Sequence, residues 1–270
     1  SMFHVPAPVM VYRVSGNRTG KGMSFFMTGG ELARTLGPLS ITAAISLLGF
    51  DGYYPVMIVG IAVSILMYFK FKDIPVAHKG KQTVSIRSTF MQMKAILTPL
   101  AAILVVRGFM HASLAAFLPL YIIRKTGDLW FAGISLAIFE AAGVAGILAI
   151  GTLSDRFGRR NMLLFSLLIA PLGLLLFSYS SGLLQILALV ITGFTLLSTT
   201  PVMLAMLQAY SKHGSSSANG IFMMTSFMAR SAVVVIVGAI ADQIGLEKTY
   251  MLSATIGLLG IPIILRMPKI

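Results

Sequence analysis

Five ionisable residues lie inside long apolar runs of the sequence: Glu31, Arg34, Arg107, Glu140 and Arg230. A charge at the centre of a bilayer is costly, so such a residue usually faces a polar cavity or an opposite charge. Guanidinium groups bind phosphate and phosphonate oxygens through paired hydrogen bonds. A buried carboxyl group can keep a proton at neutral pH. These residue types could therefore bind an anion and carry protons, or they could be ion pairs that only hold helices together.

The arginines are the candidates for substrate binding. Arg107 would attract an anionic group, and Arg34 and Arg230 would face it from two other helices. His111 lies four residues after Arg107, on the same face of a helix. Tyr121 could line the same cavity, although an aromatic residue in a span more often packs against lipid or another helix. Three cationic residues against two carboxylates favour an anionic substrate.

The two carboxylates, Glu140 and Glu31, are the candidates for proton coupling. Each also has a purely structural alternative. Glu31 and Arg34 are three residues apart and can share a helix face. Glu140 follows Arg107 across a short loop between two spans, so these two residues could also pair.

The amino-acid composition indicates the kind of structure that holds these side chains. Of 270 residues, 57% are hydrophobic and 11% are charged, against about 25% charged in an average soluble domain. Lipid offers no hydrogen-bond partner to open backbone groups, so spans must be helical. The sequence therefore predicts an all-α polytopic membrane bundle. The absence of cysteine excludes disulfides and thiolate metal sites, and the four histidines lack metal-ligand spacing, so no metal and no cofactor are expected.

Eight apolar runs approach the length of about 20 residues that crosses a bilayer. They cover 22–47, 53–69, 97–123, 129–150, 161–178, 182–208, 218–241 and 249–266. The formal net charge of +13 could indicate nucleic acid, but the basic residues lie in short loops between apolar runs. Of the 21 Lys and Arg residues, 15 fall in alternate loops and the two termini, and 3 fall in the other loops. The positive-inside rule therefore places both termini in the cytoplasm. Because membrane orientation accounts for the basic residues, no nucleic-acid partner is expected.

The loop between the fourth and fifth spans reads GTLSDRFGRR, at 151–160. Its glycines permit a tight turn, and its aspartate can meet the positive end of a neighbouring helix or one of the arginines. The arginines could act only as a positive-inside anchor, but that does not explain the ordered set. The residues of this set are Gly151, Asp155, Arg156, Gly158, Arg159 and Arg160.

This ordered set resembles the loop signature of the major facilitator superfamily of secondary transporters, which have six plus six helices. The resemblance implies that 1–69 is the end of an incomplete N-terminal half, 70–96 a cytoplasmic linker and 97–270 a complete six-helix half, with the first three to four helices absent. A similarity between SFFMTGGELAR at 24–34 and IFMMTSFMAR at 221–230 agrees with a repeated half, although coincidence is the alternative.

The pair Gly37-Pro38 resembles the glycine-proline motif of drug–proton antiporters, with a departure from its usual spacing. The stretches FHVPAP, AAFLPLYII, TLSDRFGRRN and GAIADQIG look like the fosmidomycin-resistance group of these exporters. The resemblance implies proton-coupled export of a small, phosphonate-like drug or metabolite across a bacterial inner membrane, with gating by the loop motif and the Gly-Pro pair.

Three alternatives stay open at this stage. The first is a sugar or metabolite uptake transporter. The second is a membrane scaffold that does not transport. The third is an inert fragment that needs a separate N-terminal piece or a second copy. A membrane enzyme is disfavoured, because the sequence holds no nucleophile–base set and no Gly-x-x-x-x-Gly-Lys-Ser/Thr phosphate loop.

Overall fold

The computed structural model describes residues 6–49, 51–52, 54–71, 86–211 and 216–267. These residues form α-helices and two short 3-10 turns, at Gly16–Arg18 and Tyr54–Val56, and no strand occurs among them. The helices are α1 (Pro6–Ser15), α2 (Thr19–Leu48), α3 (Met57–Phe71), α4 (Ile86–Thr126), α5 (Leu129–Phe157), α6 (Arg159–Tyr179), α7 (Gly182–Leu197), α8 (Thr199–Tyr210), α9 (Ser216–Ile244), α10 (Leu246–Leu258) and α11 (Gly260–Leu265).

Six helical segments in this part of the chain are long and apolar enough to cross a membrane. They are Arg87–Thr126, Trp130–Phe157, Arg159–Tyr179, Gly182–Tyr210, Ser216–Ile244 and Leu246–Leu265. They match the last six predicted spans and confirm the all-α polytopic bundle. The first two predicted spans correspond to α2 and α3, and Tyr54–Lys70 is an apolar helix of fewer than 18 residues. A total of eight spans therefore stays a prediction.

Two predicted spans are each divided into two helices. The helix α7 ends at Leu197 and α10 ends at Leu258. Each of these residues lies four positions before a proline, Pro201 or Pro262. Proline has no N–H to donate to the carbonyl four residues earlier, which weakens the helix at these two points. The helices α4 and α6 continue through Pro99, Pro119 and Pro171, so a proline alone does not end a helix here.

The helix α4 begins about three turns before the predicted start at 97, in a stretch expected to be linker. Thr89, Met93, Ile96 and Leu100 are buried, at helical spacing. This buried face gives the polar-looking stretch a reason to be helical.

Residues Ser1–Glu31 and Ser85–Ile270 form one compact unit, and Leu32–Val84 form another. In the first unit α4 packs on α9, α5 and α10, and α7 packs on α5 and α6. Close packing of α5 on α7 depends on glycine, since a Cβ at Gly146 would meet the Phe194 carbonyl. The predicted division at 69 and 97 remains a prediction.

Candidate functional site

A narrow cleft lies between α4 and α9. Its lining residues are Leu104, Arg107, Gly108 and His111 from α4, with Ser226 and Arg230 from α9. The α4 residues follow one another at steps of three, one and three, and the α9 residues at a step of four, so each set lies on one helix face. The free space is about 20 Å³, enough for roughly one water molecule. A substrate of drug size would therefore require the helices to move apart.

Arg107 is the best-defined side chain of the cleft. It is buried, with 6% of its surface exposed, and its Nη1 donates a hydrogen bond of 2.6 Å to Thr200 Oγ1. Thr200 is the second residue of α8, directly after the helix break at Ser198. A charge-assisted hydrogen bond of this length holds the guanidinium in one orientation.

Basic side chains line the cleft. It brings together Arg107, Arg230 and His111, three of the five residues predicted to bind substrate. Such an arrangement can bind the oxygens of a phosphate, phosphonate or carboxylate group.

The other two predicted substrate residues are placed differently. Tyr121 does not line this cleft, because it lies about four turns, or about 21 Å, beyond Arg107 along α4. Its ring packs edge-on against Tyr250 at 5.2 Å and at a tilt against Phe177 at 5.8 Å. The helix α2 includes Arg34, whose side chain lies outside the described residues.

The hydroxyl of Tyr121 lies between two charged groups. Lys125 Nζ donates to its Oη at 3.3 Å, and the hydroxyl donates to Glu247 Oε1 at 3.4 Å. The aromatic rings of this region bury their apolar faces, and the hydroxyl reaches the end of the bundle opposite the motif loop. These contacts pack Tyr121 among α4, α6 and α10, and its part in substrate binding stays a prediction.

The predicted proton carriers are placed within the bundle but do not line the cleft. Glu31 is buried in α2, with 6% exposed, and Glu140 is half-buried in α5. Their role in proton coupling stays a prediction.

Asp155 connects the motif loop to α2. Its Oδ1 accepts a hydrogen bond of 2.7 Å from the Gly20 N–H, and its Oδ2 accepts one of 2.9 Å from the Lys21 N–H. Both donors lie in the first turn of α2, whose N–H groups have no partner within the helix and whose dipole favours an anion. Arg159 Nη2 lies 3.7 Å from Asp155 Oδ1. The aspartate thus meets both of the partners that the sequence offered as alternatives.

The contact between α2 and α5 is possible because both helices carry glycine there. A Cβ at Gly20 would meet the Gly151 carbonyl and the Ser154 hydroxyl, and a Cβ at Gly151 would meet the Ser24 hydroxyl. Sequence reasoning identified Gly151 as a turn residue, but it lies within α5, where it permits close approach. Gly20 and Ser24 were not foreseen.

The predicted loop at 151–160 is almost entirely helical, since α5 continues to Phe157 and α6 begins at Arg159, which leaves only Gly158 as the turn. Gly158 has a φ of +89°, in the region that favours glycine, and α6 begins at the next residue. Arg160 Nη2 donates to the Leu265 carbonyl at 2.6 Å, which joins the turn to the end of α11. Arg156 is exposed and lies 5.5 Å from the centre of the Phe157 ring.

The second predicted gating motif, Gly37-Pro38, lies in the part of α2 that belongs to the other compact unit. The backbone is helical there, and the side-chain surroundings of these two residues lie outside the described part of the chain. Their gating role stays a prediction.

The six helices that are long and apolar enough to cross a membrane define a polytopic membrane protein. A sequence profile of the Major Facilitator Superfamily matches residues 100–269, more than half of the chain. The chain therefore belongs to the Major Facilitator Superfamily.

Two relatives cover nearly the whole chain. The fosmidomycin resistance protein of Escherichia coli (strain K12) is 26% identical over 267 residues, 96% of this chain and 66% of the relative. The uncharacterized MFS-type transporter YfnC of Bacillus subtilis (strain 168) is 25% identical over 273 residues, 97% of this chain and 66% of the relative. The chain thus spans just under two thirds of the length of these relatives.

Proposed function

We propose that this chain forms part of a proton-coupled exporter for a small anionic drug or metabolite, with a phosphonate as the preferred class. The observation that carries the proposal is the cleft that Arg107, Arg230 and His111 line together. The name of the Escherichia coli relative, fosmidomycin resistance protein, supports the phosphonate class.

Arg107 is the anchor in this mechanism. Thr200 accepts one of its N–H groups, so the guanidinium is already oriented before substrate arrives. A guanidinium in a fixed orientation can bind two oxygens of one anionic group. Arg230 adds a second guanidinium from α9, and His111 adds an imidazole one turn further along α4. Arg34 is also proposed to bind the substrate.

Proton coupling is proposed for Glu140 and Glu31. Both lie in helices of the bundle, where Glu31 is buried and Glu140 is half-buried. A carboxyl group in such surroundings can bind and release a proton as the bundle changes conformation. An inward proton flow through either residue would drive export of the anion.

Alternating access requires a contact that breaks and forms again. The bonds from Gly20 and Lys21 to Asp155 fasten the start of α2 to the motif loop, and we propose that they close this end of the molecule. The charge bias of the loops assigns that end to the cytoplasm. The proposed location is a bacterial inner membrane, with the C-terminus inside.

The proposal is tested by fosmidomycin susceptibility of a bacterium that lacks its own drug pumps. The cells express this chain alone, or this chain behind the N-terminal helices that the family resemblance predicts ahead of it. Each form is also made with Arg107→Ala and with Lys248→Ala, a matched control at the other end of the bundle.

Resistance from either form, lost with Arg107→Ala and kept with Lys248→Ala at equal membrane levels, is the expected result. Resistance from the extended form alone would indicate that the N-terminal helices complete the site. Sensitivity of all strains, with every protein present in the membrane, would contradict phosphonate export.

A further inference from the structure

A second groove lies on the bundle, apart from the cleft around Arg107. It runs between the start of α4 and α11 and encloses about 460 Å³, within the range of roughly 300 to 1,000 Å³ typical of ligand sites. The residues that line it are Lys94, Ala95, Thr98, Pro99, Ala102, Pro262, Ile263 and Arg266. From its shape and charge we propose that this groove binds an anionic phospholipid.

The groove is polar at one end and apolar at the other. Lys94 and Arg266 are both exposed and lie at one mouth, the first near the beginning of α4 and the second just after α11. From Lys94 to Ala102 the groove follows α4 for about 12 Å toward the apolar span. A ligand that fits needs an anionic head and an apolar tail, as a phospholipid has.

The charged mouth lies at the level of the headgroups. Arg160 donates to the Leu265 carbonyl, so the end of α11 is beside the motif loop, on the side that the charge bias assigns to the cytoplasm. Basic pockets between transmembrane helices on that side are suited to anionic headgroups. None of the residues that line the groove in the described chain is acidic.

Two prolines keep the groove open. Pro99 has no N–H, so the Ala95 carbonyl lacks its usual helical donor. Pro262 has the same effect on Leu258, where α10 ends. Ala95 and Ala102 add little bulk to the wall of the groove. Arg266 alone could be explained by the negative end of the α11 dipole, which favours a basic residue. That explanation does not account for a groove of this size lined by two basic residues.

The test measures retention of lipid by native mass spectrometry of the full chain in neutral detergent. Phosphatidylglycerol or phosphatidylcholine of equal chain length is added in a series. The variants are Lys94→Gln with Arg266→Gln, which removes the charges, and Ala102→Phe, which fills the apolar end. Lys248→Gln is the control, since it removes one positive charge at the opposite end of the bundle. Helix content and a single elution peak establish that each variant is folded.

We expect the parent chain and Lys248→Gln to retain one phosphatidylglycerol in preference to phosphatidylcholine. The double variant should bind it roughly tenfold or more weakly, since each basic residue near a headgroup contributes measurably to binding. Ala102→Phe should lose it as well, with all charges present.

Three results would overturn the proposal. The double variant could retain phosphatidylglycerol as the parent does. The Lys248→Gln control could lose as much bound phosphatidylglycerol as the double variant, which would indicate a general effect of net charge. Soluble glycerol phosphate could displace the lipid completely, which would indicate a phosphate site without a lipid groove.

Discussion

Arg107 Nη1 and Thr200 Oγ1 are 2.6 Å apart and join α4 to the first turn of α8. The helix break at Ser198 places Thr200 at this position, and the hydrogen bond holds a buried guanidinium toward the cleft. The bond gives the cationic site a fixed geometry, and it is the first relationship to perturb.

Thr200→Val keeps the shape of the side chain and removes the acceptor for Arg107. A hydrogen bond to a charged group contributes about 1.5 to 3 kcal/mol, so we expect apparent affinity for an anionic substrate to fall roughly 10- to 100-fold. The measurement is concentration-dependent transport by the variant. Thr200→Ser keeps the hydroxyl and serves as the control. Equal transport by Val and Ser variants would contradict an orienting role.

Asp155→Ala removes the hydrogen-bond acceptor for the first turn of α2. Loss of an N-terminal cap destabilises a helix or protein by about 0.5 to 2 kcal/mol, so we expect a lower midpoint of thermal unfolding and loss of transport.

Asp128→Ala is the matched control for that change. Asp128 caps α5 by accepting from the Phe131 N–H at 3.0 Å, at the opposite end of the bundle. Its removal should lower stability to a similar degree and leave transport largely intact. If both variants lose transport equally, the cap at Asp155 has no special part in gating.

Gly151→Ala tests the close approach of α2 and α5. A Cβ there would meet the Ser24 hydroxyl, whereas a Cβ at Gly133, in the same helix, would meet no atom within 4 Å. Since alanine favours a helix over glycine by about 1 kcal/mol, Gly133→Ala should be neutral or stabilising. Gly151→Ala should lower the unfolding midpoint and slow transport. The same effect from both substitutions would exclude a steric cause.

Tyr121→Phe separates packing from substrate contact. The ring contacts with Tyr250 and Phe177 remain, and only the hydroxyl between Lys125 and Glu247 is lost. We expect transport within about twofold of the parent, because net contributions of single hydrogen bonds are modest. A large rise in the substrate concentration that gives half-maximal transport would indicate that the Tyr121 hydroxyl contacts the substrate.

The fold class and the six C-terminal spans could be predicted from the sequence, because long apolar runs in lipid leave only the helix as a solution. The helix breaks could not be predicted from proline alone. Pro201 and Pro262 each lie four residues after a helix end, but Pro99, Pro119 and Pro171 lie inside continuous helices. The start of α4 was not foreseen, because the buried face from Thr89 to Leu100 is interrupted by polar residues.

The site was predicted in part. Arg107 and His111 share a face by spacing alone, but only the packing of α4 against α9 brings Arg230 to them. Nothing in the sequence marks Thr200 as a partner of Arg107. The sequence also does not separate Tyr121 from a cavity residue, because position along a helix does not show which side chains surround it. The motif aspartate was found, while its partners Gly20 and Lys21 are ordinary residues of α2.

The most direct test is fosmidomycin accumulation by inverted membrane vesicles with an acidic interior. The vesicles contain the extended protein, its Arg107→Ala variant or its Lys248→Ala control. A cationic cleft that binds the exported anion predicts accumulation by the parent and the control, abolished by dissipating the proton gradient and reduced at least tenfold by Arg107→Ala. Accumulation by Arg107→Ala equal to that of the parent, at equal protein content, would contradict the account.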